Sequence, residues 1–334
     1  MIVTIKKNTN KEQLQRLYDL LDTKGVSYNL VRGSNYDTLL LDGNLTTLDL
    51  SSIKVFDFVM TITRLTKSYK LASREYKNTD TVINVKGVNI GQDFCIIAGP
   101  CSISSYEEMD RIAKTCIDAG ANVLRGGAFK MRTSPYSYQG MGVEGLKILH
   151  DIGMKYNIPV ASEITSIEDI EEFEKYVDII QVGARNMNNT ALLEKLGKTN
   201  KPILLKRGMM STLEELLLSA EYILKNGNPN VILCERGIKN FDKETRNTLD
   251  LGGALVLKEY SHLPVICDPS HATGKASLVS NIALGCIASG IDGLILEVHD
   301  DPASSRSDAM QAITPSELKE LIVKAKQIRE VIGK

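Results

Sequence analysis

No apolar stretch of the 334-residue chain reaches the roughly 20 residues that a membrane-spanning helix requires. The Met1 end also lacks the basic-then-apolar order of a secretion signal, so the sequence reads as cytoplasmic. An excess of one charge is missing too: 40 Lys and Arg stand against 41 Asp and Glu, a formal net charge of −1, with no long basic run. That excludes a broad nucleic-acid surface, and any positive site has to be local. The six cysteines, Cys95, Cys101, Cys116, Cys234, Cys267 and Cys286, contain no CxxC pair, so no disulfide framework is expected. Unpaired cysteine is most often a small core residue. Cys101 is set apart by its position directly after Gly99 and Pro100, where an apolar run has ended.

A hydrophobic content of 43% is enough for a large core, and the length allows more than one domain. Residues 1–66 read as a β-α-β-β-α-β unit: MIVTI, the helix KEQLQRLYDLLDTKG with Leu14, Leu17 and Leu21 on one stripe, VSYNLVR, YDTLLLDG, a short LTTLDLSSI, and KVFDFVMTIT. That order is ferredoxin-like. Residues 67–92 are polar and charged and read as a linker, with VINVKGVNI as a hairpin turning at Lys86 and Gly87 that closes the floor of a barrel.

From residue 93 onward, strand-like runs near 94–99, 122–126, 158–162, 178–182, 202–206, 230–235, 264–268 and 292–297 alternate with helical stretches. The stretch from Ser102 to Glu108 opens the first of these helices, and Thr314-Pro315 opens the last. The expected fold class is α/β, an eight-unit TIM barrel over 93–334 behind the small front domain.

Several runs end in a residue with chemistry. Arg125, Arg185, Lys206 and Arg236 each follow a strand, and Lys130 lies in the same loop as Arg125. Two such cations about 6 Å apart would repel by roughly 3 kcal/mol at an effective dielectric near 20, so a shared cavity calls for an anion. Arginine forks match carboxylate and phosphate oxygens, which suggests a small phosphorylated acid. The plainer alternative is that each cation pairs with a nearby Asp or Glu.

Cys101, His271, Glu297 and Asp308 belong to the first, seventh and eighth units, which become neighbours when a barrel closes. Thiolate, imidazole and carboxylate suit a divalent transition metal such as Mn, Fe, Zn or Co better than Mg²⁺. Asp268, in CDPSH, could face a substrate hydroxyl or stand behind the metal. His299 reads as a supporting or structural residue, and His150 and His262 are assigned nothing.

The segments IIAGPCS, LRGGAFKMRTSPYSYQG, QVGARNMNN, LLKRG, ERGI, DPSHATGK and EVH…SD resemble 3-deoxy-D-arabino-heptulosonate 7-phosphate synthases, from about residue 70 to the C-terminus. The subtype is the one related to the octulosonate 8-phosphate synthases. The resemblance implies condensation of phosphoenolpyruvate with erythrose 4-phosphate, the first step toward chorismate. It implies that Cys101, His271, Glu297 and Asp308 hold the metal and that Arg125, Lys130, Arg185, Lys206 and Arg236 hold phosphoenolpyruvate. Arg132, Thr133 and Ser134 match the positions that hold erythrose 4-phosphate. It further implies a homotetramer and a front domain that binds an aromatic amino acid effector, tyrosine or phenylalanine. The β-rich front argues against the helical chorismate mutase domain that other members carry.

In that chemistry Lys130 would serve as general acid, and Glu163, at the end of VASEI, is the candidate base for water. The chain departs from the family pattern at Met131, where proline is usual, and at Asp300, where EVHP is usual. Losing that proline frees the backbone between Lys130 and Arg132. Two rival readings are an octulosonate-type or sialate-type synthase that takes another sugar, arabinose 5-phosphate for the octulosonate type, and a non-catalytic ligand sensor. The sensor reading expects a lost metal ligand or a lost Lys130, and neither is lost.

Overall fold

A computed structural model describes every residue apart from 34, 44, 46, 47, 65, 66, 133 and 334. The front comprises β1 (Ile2–Lys6), α1 (Lys11–Thr23), β2 (Ser27–Arg32), β3 (Tyr36–Asp42), α2 (Leu50–Lys54) and β4 (Val59–Thr63). Their antiparallel sheet runs in the order β2-β3-β1-β4, which is the ferredoxin-like order. Asn10 caps α1 in a capping box with Gln13, and the Leu14, Leu17 and Leu21 stripe is buried against the sheet. β4 begins later than the KVFDFVMTIT run suggests. Helix α2 extends to Lys54, and Val59 N–H closes a turn onto Phe56 O where pairing with β1 begins.

The linker is tied down by side chains rather than by regular structure. Both Glu221 carboxylate oxygens accept from the linker, at 2.8 Å from Leu71 N and 2.9 Å from Ala72 N. His262 binds it twice, Nδ1 to Thr81 Oγ1 and Nε2 to Leu71 O, each at 2.7 Å. β5 (Ile83–Val85) and β6 (Val88–Ile90) then form the expected hairpin. Ile83, Val85 and Ile90 pack among the inward residues of the barrel and close its floor.

The remainder is a closed parallel barrel of β7 (Cys95–Gly99), β8 (Val123–Arg125), β9 (Val160–Ile164), β10 (Ile179–Val182), β11 (Ile203–Lys206), β12 (Val231–Glu235), β13 (Val265–Cys267) and β14 (Gly293–Glu297), in that circular order. Around it lie α3 (Tyr106–Ala119), α4 (Val143–Tyr156), α5 (Ile170–Tyr176), α6 (Thr190–Leu196), α7 (Leu213–Lys225) and α8 (Leu251–Tyr260). The ring is completed by α9 (Pro269–Thr273), α10 (Ala276–Ala288) and α11 (Pro315–Val331). Because helices cover one face and the interior fills the other, the strands are buried on both sides and read as unbroken apolar runs. α3 starts later than Ser102. Its N-cap is Ser105, whereas Ser102 accepts a hydrogen bond from Ser307 Oγ at 2.8 Å.

The strand period of two decides what reaches the mouth. Val123, Ala161, Ile179, Leu204, Ile232, Ile266 and Ile295 share the interior cluster. Two residues further along each strand, toward the C-terminal end, come Arg125, Glu163, Gln181, Lys206, Cys234, Asp268 and Glu297. The floor of the barrel is therefore apolar and its mouth is largely polar and charged, as expected of a catalytic barrel face.

Candidate active site at the barrel mouth

A cavity of about 290 Å³ opens at this mouth. Its wall includes Lys130, Glu163, Arg185, Lys206, Arg236 and His271, and on the β8–α4 loop and near the C-terminal loop Arg132, Ser134 and Asp308. Arg125, Cys101, Asp268 and Glu297 are buried and are not part of that wall. Thr133 lies outside the described residues.

The cations divide into two kinds. Arg125 Nη1 meets Glu297 Oε1 at 3.0 Å, and Lys206 Nζ meets Asp268 Oδ2 at 2.5 Å, so these two already have carboxylate partners from other strand ends. Arg132, Arg185 and Arg236 have no carboxylate oxygen within 4.0 Å among the described residues. Arg236 is buried, and burial followed by the nearby Arg246 outweighs Asp268 in lowering its pKa. A buried guanidinium without an acid, beside a second guanidinium, favours an anion in the cavity.

On the other side, Cys101 Sγ lies 3.2 Å from Asp308 Oδ2 and 3.0 Å from Lys130 Nζ. One donor atom each from Cys101, Glu297 and Asp308 lies within 4.8 Å of the others, a triad that could hold a metal ion. β14 pairs with β7 so that Glu297 stands opposite Gly99, two residues before Cys101. Asp308 reaches in from a left-handed backbone position, φ 51°. His271 is adjacent rather than inside that grouping: Nε2 is 3.3 Å from Glu297 Oε1. Its Nδ1 is 2.7 Å from Asp268 Oδ2 but has no aligned hydrogen-bond partner.

Burial, then Glu297, pushes the Cys101 thiol up to about 12. Burial alone would raise the Glu297 carboxyl, but His271, Arg125 and Lys130 overcome it and hold the group down at about 2. Burial lowers the His271 pKa against the opposing pull of Asp268 and Glu297. Two carboxylates, an imidazole and a thiol that a cation would deprotonate form a donor set fit for a divalent transition metal.

Glu163 also lines the cavity and accepts from Gln181 Nε2 at 2.6 Å. Gly183 makes its room: a Cβ there would sit 2.1 Å from Glu163 Oε1. Gly127 does the same for Lys130, since a Cβ would lie 2.4 Å from Cys101 O and 3.0 Å from Lys130 Cδ. His299 is buried away from the cavity and its Nδ1 accepts from Asp301 N at 3.1 Å.

The profile of the DAHP synthetase I family matches residues 75–334. The chain belongs to that family. It is 41% identical to the phospho-2-dehydro-3-deoxyheptonate aldolase of Thermotoga maritima, over all of this chain and 99% of that one. The crystal structure of that DAHP synthase superposes with a TM-score of 0.79, covering 99% of this chain and 98% of the other. A truncated form of the Thermotoga enzyme covers 80% of this chain, at a TM-score of 0.75 and 44% identity. A 2-dehydro-3-deoxyphosphooctonate aldolase of Geobacter sulfurreducens is 30% identical over 75% of this chain and 98% of its own length.

Sequence reasoning did not single out Arg246, Gln311, Gln181 or Gly183. Arg246 lies in the polar segment KNFDKETRNTLD, ten residues past Arg236, with no strand before it to mark it. Gln181 was detectable in principle, as the one polar residue in the run IIQV.

Proposed function

We propose that the chain joins phosphoenolpyruvate to erythrose 4-phosphate, with water, giving 3-deoxy-D-arabino-heptulosonate 7-phosphate and phosphate. The observation that carries this reading is the meeting of acid-free guanidinium groups with His271 and Asp308 at one cavity, Asp308 being the member of the Cys101–Glu297–Asp308 triad that lines it. One half of the site suits a multiply charged phosphorylated acid and the other a carbonyl oxygen.

In this reading Arg185, Lys206 and Arg236 bind the phosphate and carboxylate of phosphoenolpyruvate, with Arg125 behind them. Arg132 and Ser134, with Thr133 between them in sequence, bind the phosphate of the aldehyde substrate. Cys101, His271, Glu297 and Asp308 would hold a divalent metal, which when bound would polarise the aldehyde oxygen. The enol carbon of phosphoenolpyruvate forms the new C–C bond to the aldehyde carbon, and the half-buried Lys130 ammonium protonates the resulting alkoxide. Water adds to the phosphate-bearing carbon and gives its proton to Glu163. The C–O bond to phosphate then breaks as the hemiketal hydroxyl becomes the ketone and passes its proton to the leaving phosphate, and the guanidinium groups stabilise the departing dianion. Asp268 holds Lys206 in place and caps α9, on which His271 sits.

Erythrose 4-phosphate is favoured over arabinose 5-phosphate because the heptonate relative matches the whole chain, whereas the octonate relative matches three quarters of it at lower identity. Phosphate release measured with each aldehyde tests this. Faster turnover of arabinose 5-phosphate would overturn the assignment, and no release with either would favour a sensor. For residues 1–66, the reading is a regulatory domain with an aromatic amino acid effector, tyrosine or phenylalanine, in a homotetramer. It is supported by the ferredoxin-like strand order. If the chain lacking those residues keeps full inhibition by tyrosine, the effector site is elsewhere.

A further inference from the structure

Gln311 is buried next to the triad and does not line the cavity. Its amide is used at both ends. Nε2 donates to Glu297 Oε2 at 2.7 Å, and Oε1 accepts from Arg246 Nη1 at 3.0 Å. The same Arg246 Nη1 lies 3.6 Å from Asp308 Oδ1.

The backbone ties the same pieces together. Gln311 N–H donates to Asp308 O at 3.2 Å, closing a 3₁₀ turn between a triad carboxylate and the bridging amide. Ile313 N–H donates to Glu297 O at 3.0 Å, which pins that turn to the end of β14. Arg246 N–H donates to Thr273 O at 3.0 Å and Asn247 N–H to Ala272 O at 2.7 Å. Asn247 Nδ2 adds a hydrogen bond to His271 O at 3.0 Å, so the segment carrying Arg246 is bound along the helix that carries His271. At Gly274, which ends that helix at φ 66°, a Cβ would lie 2.7 Å from Arg246 Cβ.

Arg246 thus reaches Asp308 directly and Glu297 through Gln311 with its guanidinium, and the helix that carries His271 with its backbone. We propose that Gln311, held by Arg246, is a positioning residue that fixes the Glu297 carboxylate for a divalent metal. Among the described residues, Arg125 and His271 crowd Glu297 Oε1, and Gln311 alone is on Oε2. Without the Gln311 amide the carboxylate can rotate about its last bond. Partners of this kind orient metal ligands, and their loss typically costs about 10- to 100-fold in affinity. The inference rests on the metal reading of the Cys101–Glu297–Asp308 triad.

The test is binding of Co²⁺ to the metal-free full chain without substrates, followed by calorimetry and by the visible absorption spectrum of the bound ion. Gln311→Met and Arg246→Met are each expected to weaken Co²⁺ binding by about tenfold or more and to alter the spectrum, with metal-free melting near that of the wild type. Arg246 is more exposed, so its variant decides the matter if Gln311→Met fails to fold. Wild-type affinity and spectrum in both variants would overturn the positioning role and leave the metal site standing. Absence of stoichiometric Co²⁺ binding by the wild type, or undiminished binding by Cys101→Ser, would overturn the metal reading and this inference with it.

Discussion

Lys206 and Asp268 form a buried ion pair across the barrel mouth, with Nζ 2.5 Å from Oδ2 and both side chains almost fully excluded from solvent. They come from β11 and from the end of β13, two strands apart in the circular order. Removing one member of such a pair leaves the other charged and dry, which typically costs about 3–5 kcal/mol. Asp268→Ala should therefore lower urea-unfolding stability by about 3 kcal/mol, and it also removes the α9 cap. A loss under about 1 kcal/mol would show that water repairs the site.

Chelation bears on the triad. Excess chelator should abolish turnover, and Mn²⁺ or Co²⁺ should restore it. Cys101→Ser should bind metal more weakly, with urea stability in the metal-free state within about 1 kcal/mol of the wild type. Full turnover in excess chelator would refute the assignment of the triad.

Arg132 is half-buried at the cavity and has no acid partner among the described residues. Losing a charge-assisted hydrogen bond to phosphate is worth about 1.5–3 kcal/mol, so Arg132→Ala should raise KM for erythrose 4-phosphate by roughly 10- to 100-fold. KM for phosphoenolpyruvate should change less. Equal rises in both would assign Arg132 to the other substrate or to loop structure.

Glu163 and Gly183 make a second pair. Glu163→Gln should keep the Gln181 contact and lower kcat by about 10²- to 10⁴-fold, as expected for a lost general base. Gly183→Ala, which drives a methyl group into Glu163 Oε1, should lower kcat in the same direction while Glu163 itself is intact. An unchanged kcat in Glu163→Gln would remove it from the reaction.

His262 gives a pH dependence far from the mouth. Burial, helped by Lys77 and Arg74, lowers its pKa from 6.5 to about 4. As pH falls, the unfolded chain binds this proton first, so the contribution of His262 is complete above pH 6.5 and is lost between 6.5 and 4. By pH 5 the loss amounts to about 2 kcal/mol. Urea melts of wild type and His262→Gln at pH 7.5 and pH 5 should differ by that amount in their pH response. Parallel responses would mean that the linker opens and solvates the ring.

Legibility followed the strand period. The barrel strands appeared as apolar runs because they are buried on both faces, and the cations and acids stood out because they interrupt those runs at one end. Boundaries were less readable where local hydrogen bonding competes. Ser105 outcompeted Ser102 as a cap, and α2 continued into residues that read as strand.

The order of residues along the chain by itself determined the α/β alternation, the ferredoxin-like front, the floor hairpin and the set of ionisable strand ends. Only the tertiary structure decided how those ends divide: Arg125 and Lys206 turn to acids, Arg132, Arg185 and Arg236 do not, and Arg246 and Gln311 enter from loops to brace Glu297. The physical reason is range. Period-two burial is a local property written in consecutive residues, whereas charge pairing joins groups 62 and 172 positions apart in the chain, whose distances exist only once the barrel has closed.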